Sequence, residues 1–122
     1  MKPSQQSLLK SFTNAFAGMT HFFANDRNGK IHLASAIIVI ITSIMLHISA
    51  IEWLAILLCI ALVIGLEMLN SALEKLCDLV ESNYHPTIKV IKDVSASAVV
   101  LAAIISVVIG IIIFLPKIIV LL

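Results

Sequence analysis

The chain has 122 residues, of which 61% are hydrophobic and 12% charged, with a formal net charge of +1. Soluble domains carry roughly 25% charged residues, so this composition excludes an ordinary soluble protein. Nearly balanced charge, with no basic stripe interleaved with aromatics, also excludes a nucleic-acid footprint. An all-α integral membrane domain is what remains.

Residues 1–24 are not a basic tip followed by an apolar block, so no signal peptide is expected. Leu8, Leu9, Phe12, Ala15, Phe16, Met19, Phe22 and Phe23 recur at helical spacing, with Lys10, Thr13, Asn14 and Thr20 largely opposite. This predicts an amphipathic helix, either lying in the membrane surface or packed on the end of a bundle.

Three apolar runs follow, at 31–50, 53–73 and 95–115, each close to the roughly 20 residues that span a bilayer. Lys2, Lys10, Arg27 and Lys30 precede the first run, the turn from His47 to Glu52 has no lysine or arginine, and Lys75, Lys89 and Lys92 separate the second and third. The positive-inside rule then predicts a cytoplasmic N-terminus and an outside C-terminus bearing Lys117. Trp53 sits where an interfacial aromatic anchor belongs, and His32 and His47 read as interfacial side chains. Arg27, Asn28 and Lys30 are placed to meet headgroups. Cys59 and Cys77 lack partners at metal-ligand spacing and read as packing thiols. In the third run, Ser95, Ala98, Ala102, Ser106 and Gly110 form a small-residue seam that permits close helix approach.

Polar residues in the stretch "GLEMLNSALEKLCDLV" (65–80) interrupt this pattern. Glu67, Asn70, Glu74 and Asp78 are spaced 3, 4 and 4 residues apart, and at about 100° per residue they fall within roughly 80° of one another on a helix. With Trp53 at the outer surface, Glu67 lies about 21 Å in and Glu74 about 31 Å in, against a hydrocarbon core of about 30 Å. A carboxylate at such depth costs about 2.5–3.5 kcal/mol on insertion scales and needs a purpose. Polar glue between helices is one purpose. Asp26 in "NDRNGKIH" and the pair Lys92 and Asp93 add acids and a cation on the cytoplasmic side. Carboxylates converging on a rim beside lysine are what a magnesium–nucleotide site needs. No GxxxxGK[ST] loop or soluble-kinase signature set is present.

The segments "EMLNSALEKLCD", "NYHP" and "KVIKDVSASAV", with "SFTNAFAGM" and "NDRNGKIHL" before them, resemble the prokaryotic diacylglycerol kinase and undecaprenol kinase family of small membrane lipid kinases. The resemblance covers almost the whole chain. It implies a homotrimer in the bacterial cytoplasmic membrane, with active sites between protomers, using ATP and magnesium to phosphorylate the hydroxyl of undecaprenol or diacylglycerol. By the same resemblance Glu67 is the catalytic base, Asn70 an active-site amide that orients base or phosphate, and Glu74 a magnesium ligand. Its partner ligand is Asp26, where the family has a longer glutamate. Lys92 then neutralises phosphate and Asp93 holds nucleotide, with Asn83, Tyr84 and His85 along the ATP-facing loop. For His85 and Pro86 an ordinary turn is the competing reading. Asp78 is either a supporting residue or a solvated one near Lys75 and Lys89. "RNGKIH" looks more like the undecaprenol branch.

Two other classes compete. An ion-pathway subunit requires a polar face through the full thickness, whereas "WLAILLCIALVIG" carries no charge. A non-catalytic scaffold leaves Lys92 and Asp93 beside the acids without a task.

Overall fold

The structure, a computed structural model, describes residues 7–122. Its element order is α1 (Leu8–Asn25), α2 (Arg27–Met45), α3 (Ala50–Val80) and α4 (Pro86–Leu121). The architecture is all-α, and α2, α3 and α4 are each long and apolar enough to cross a membrane. Lys2 and the start of the expected 1–24 helix lie outside the described residues.

Large apolar side chains point outward along all three long helices, as Ile38, Leu58 and Leu101 do. Water would oppose so much exposed apolar surface, and lipid does not. Helix α3 is the centre of the assembly. It packs most extensively against α4, less against α2, and α1 touches α2. The seam behaves as its spacing predicts: Ala102 is buried, and Ser95, Ala98, Ser106 and Gly110 are half-buried on α4. At the end away from the acids, Ile48, Ile56 and Ile113 form a core joined by Val39, Phe114 and Trp53. Trp53, expected at the membrane interface, packs inward against this core.

Helix ends explain where the apolar runs and the helices part company. Asp26 separates α1 from α2 with one extended residue: its N–H donates to Phe22 O (2.9 Å) and its Oδ1 accepts from the Gly29 N–H (2.7 Å), an N-cap for α2. Gly29 is required by contact, because a Cβ there would stand 2.7 Å from the Phe22 ring. Helix α2 begins at Arg27 and stops at Met45, short of the expected 50. The Ile48 N–H donates to Ser43 O (3.3 Å) and the His47 N–H to Ile44 O (3.2 Å), while His47 takes φ 50°. This is the Schellman arrangement, with Ile48 turned into the core it forms with Ile56 and Ile113.

Ser49 and Glu52 then form a capping box that starts α3. Helix α3 continues past 73 to Val80. Its 31 residues make it about 46 Å long, beyond the roughly 30 Å of hydrocarbon, so its last turns emerge on the acid-bearing side. Helix α4 begins at Pro86, with His85 as N-cap, ahead of the expected 95, and runs through Pro116 to Leu121. Pro116 costs Ile112 its carbonyl partner. One residue on, Lys117 Nζ lies 3.1 Å from Glu52 Oε1 and ties this end of α4 to the start of α3.

Candidate active site

The corner between α1 and α2 presses its polar residues onto the acid-bearing face of α3. Glu67 is 3% exposed, Asn70 5% and Ser71 6%. Four groups face the Glu67 carboxylate: Asn28 and His32 from α2, Asp26 from the corner, and Glu74 one helical repeat along α3. The His32 Nε2 lies 3.8 Å from Glu67 Oε2. Asn28 and His32 are four residues apart and so share one face of α2.

Asp26 has two duties. Burial pushes its carboxyl up, yet the Gly29 N–H, the Ser71 hydroxyl, the Asn28 N–H and the charge of Lys75 together hold it below the ordinary carboxylate value. One oxygen caps α2, and the carboxylate also meets the Ser71 hydroxyl of α3. The short side chain suits this, since aspartate caps helices and its longer homologue is not among the favoured caps.

Asn70 Nδ2 donates to Glu74 Oε1 (3.4 Å), fixing the amide's orientation. Its Oδ1 is buried without a hydrogen-bond partner. An unmet buried acceptor costs about 1–3 kcal/mol, a cost that a donor or cation reaching Oδ1 would remove. Among the described residues no three histidine, cysteine or acidic side chains gather into a metal cage. Magnesium does not need one, because it binds through one or two carboxylates and keeps the rest of its shell for phosphate and water. The hard oxygens of Glu74, Asp26 and Asn70 fit that ion.

A hollow of about 330 Å³ lies where α3 passes into α4, lined by Asn83, Tyr84, His85, Lys92, Asp93 and Asp78 among others. The fold thus gathers every residue expected along the nucleotide loop. Lys92 Nζ donates to Asp78 Oδ1 (2.5 Å), linking α4 to α3, and Lys89 Nζ donates to Asp93 Oδ2 (2.5 Å). Lys92 also has Glu74 within electrostatic range, which connects this hollow to the acid-bearing face of α3. Exposed pairs of this kind contribute about 0–1 kcal/mol, so an arriving phosphate can displace them. Asp78 is exposed, shares this hollow with Lys89 and pairs with Lys92. His85 Nδ1 accepts from the Thr87 N–H (3.1 Å), so "HP" starts a helix in addition to any contact it makes.

His32, Asn28 and Ser71 escaped the sequence reading. His32 read as an interfacial side chain, and Asn28 as a headgroup contact. Their i, i+4 spacing was the available signal, but which side of α2 meets α3 is a property of the packing. Arg27 and Lys30 stay exposed.

Comparison with known proteins adds family information. The family model described as prokaryotic diacylglycerol kinase matches residues 13–114. The chain is 42% identical over 108 residues to an undecaprenol kinase of Bacillus subtilis (strain 168), covering 88% of each chain. It is 43% identical over 111 residues to a diacylglycerol kinase of Synechocystis sp., covering 90% of this chain and 63% of that one.

Proposed function

The chain belongs to the prokaryotic diacylglycerol kinase family and is a membrane-embedded lipid kinase, and from that premise we propose that it transfers the γ-phosphate of magnesium-bound ATP to the hydroxyl of undecaprenol. Diacylglycerol is the competing acceptor. The observation that carries the reading is Glu67, 3% exposed, beside Asn70 with a partnerless oxygen. A buried acid is retained where a proton must be taken without water.

In this reading the alcohol's hydroxyl rises from the bilayer to the Glu67 carboxylate, which accepts its proton. The alcohol oxygen bonds to the γ-phosphorus while the bond from that phosphorus to the β–γ bridging oxygen breaks, leaving ADP and undecaprenyl phosphate, or phosphatidic acid from diacylglycerol. Asn70 holds Glu74 through Nδ2 and offers Oδ1 to the reacting groups. Glu74 and Asp26 would hold magnesium, which supplies charge neutralisation to the phosphates when bound. Lys92 releases Asp78 to meet phosphate, Asp93 holds the nucleotide, and Asn83, Tyr84 and His85 flank it. Family membership displaces the ion-pathway and scaffold alternatives.

Undecaprenol is favoured by "RNGKIH" and by the even coverage of the match to the Bacillus subtilis protein. The remaining parts of the reading are topological. Leu8, Leu9, Phe12 and Phe16 stay exposed while Phe22 turns inward, which supports α1 lying in the membrane surface. A cytoplasmic N-terminus, an outside C-terminus and a homotrimer in the bacterial cytoplasmic membrane complete it. Phosphate transfer from labelled ATP, with magnesium and each alcohol offered separately in lipid, tests this. Product from undecaprenol alone is expected. Product only from diacylglycerol overturns the acceptor, and none from either overturns the reaction.

A further inference from the structure

A proton taken up by Glu67 has no direct way out, because that side chain is only 4% exposed. Until the proton leaves, the carboxyl cannot act again as a base. Four groups face it, and they differ in what they can do with a proton. Asp26 and Glu74 are carboxylates like Glu67 itself, so passing the proton to either gains nothing. Asn28 is an amide and does not titrate. His32 belongs to the side-chain type that takes up and releases protons between about pH 5 and 8.

Geometry suits His32 to that task. Its Nε2 lies 3.8 Å from Glu67 Oε2, and its side chain is 24% exposed, so one ring spans the step from a buried carboxylate to accessible space. The terminal torsions of both side chains are broad, and a small rotation brings 3.8 Å within hydrogen-bond reach, as such contacts tighten once substrate is bound. His32 also lines a largely apolar hollow between α2, α3 and α4. Among the described residues, those of α4 that line it, Ala103, Ser106, Val107, Gly110 and Phe114, carry no titratable group. Cys59 of α3 lines it too, but stands about 12 Å along the helix from Glu67. The charge of Lys75 acts on Asp26.

We propose that His32 is a positioning residue that relays protons for Glu67, a role that rests on the reading of Glu67 as the base. As phosphate is transferred, the O–H bond of the lipid alcohol breaks and its proton goes to Glu67. Neutral His32, with its own hydrogen on Nδ1, accepts that proton at Nε2, so Glu67 returns to the carboxylate and His32 becomes imidazolium. The imidazolium then gives the proton to water at its accessible edge. Nothing is oxidised or reduced, and one proton is released for each phosphate transferred. Acid works against the relay: imidazolium has no lone pair to accept a proton, and it holds the Glu67 carboxylate as an ion pair.

Because His32 does not touch the reacting atoms, its loss acts on kcat. His32→Ala should lower kcat about 10²-fold, the low end for a positioned proton acceptor, with KM for undecaprenol and for ATP each within about twofold. Imidazole in the buffer should restore part of that kcat, increasingly so as pH rises and its free base accumulates, whereas pyrazole, similar in size and a far weaker base, should not. His32→Gln keeps a polar side chain that cannot carry a proton. It should show the same loss, and should lack the fall in kcat between about pH 8 and 5 expected of the unmodified protein. Unchanged kcat in either variant, a loss carried by KM, a pH profile shared by His32→Gln and the unmodified protein, or recovery that is absent or equal with pyrazole would each overturn the relay. If His32→Ala does not fold, His32→Gln and its pH profile decide. Failure of the underlying reading shows separately, as turnover retained in Glu67→Gln or absent product from the unmodified chain, whatever the His32 variants do.

Discussion

One face of α3 holds two regions with opposite demands. Ile56, Ile60 and Val63 lie in apolar surroundings, and Ile56 reaches 3% exposure by joining the core. Glu67 is just as buried at 3%, yet it faces Asn28, His32, Asp26 and Glu74. Equal burial thus has opposite meanings. In the first region removing atoms from water or lipid is the gain, so truncation costs stability. In the second, burial itself is costly and is retained for chemistry, so substitution there costs turnover.

The sharpest break in that contrast is Glu67→Gln. Loss of a positioned base should lower kcat about 10²–10⁴-fold, while the melting temperature and ATP binding stay within error of the unmodified protein. Steady-state transfer assays beside thermal melts in detergent check it, and retained turnover would remove Glu67 from its role.

The mirror-image change is Ile56→Ala, at the other end of the same face. Emptying a core position costs about 2–5 kcal/mol. The expected outcome is a lower unfolding midpoint with kcat preserved at temperatures where the variant is folded. A selective loss of kcat instead would erase the distinction between the two regions.

Gly29→Ala tests how the corner is pressed onto the polar half. Its methyl group would meet the Phe22 ring at 2.7 Å, and overpacking of this kind costs about 1–3 kcal/mol. Both stability and activity should fall, because the same corner carries Asp26 and Asn28. Phe22→Leu should relieve the clash and restore part of each.

Asp26 gives the smallest effect and a pH signature. Its carboxyl is held below its ordinary value of 3.8, so the folded corner favours the charged form. The stabilisation is present above that value and is lost as pH falls through the depressed one. Asp26→Asn preserves a favoured cap and should abolish this acid-side loss, at a cost near or below about 1 kcal/mol at neutral pH. It should also raise the magnesium concentration needed for turnover. Melts across pH 2–7 and a magnesium titration separate the capping duty from the proposed metal duty.

Much of this was legible in the primary structure because lipid simplifies the reading. A helix in hydrocarbon must satisfy its own backbone, so long apolar runs had to be helices, and the all-α architecture followed from their length. The polar residues were equally plain, since a carboxylate costs so much inside such a run that Glu67 and Glu74 announced themselves by position, with the amide of Asn70 between them. Local chemistry, however, placed the ends of the helices differently. The Schellman turn at His47 stopped α2 before 50, and α3 and α4 extended past the apolar runs because polar residues end a membrane span without ending a helix.

What the sequence determined was therefore composition along each helix: which segments are long and apolar enough to cross a bilayer, and where along them the acids fall. Only the tertiary structure decided which faces meet. It turned Asn28 and His32 toward Glu67, paired Asp78 with Lys92 and left an apolar groove above the acids. The physical reason is that lipid solvates every apolar face of a helix equally well, so hydrophobicity sets depth but not rotation. Rotation is fixed by close packing, here Gly29 beneath Phe22 and the small-residue seam of α4, and those contacts join residues far apart in the chain.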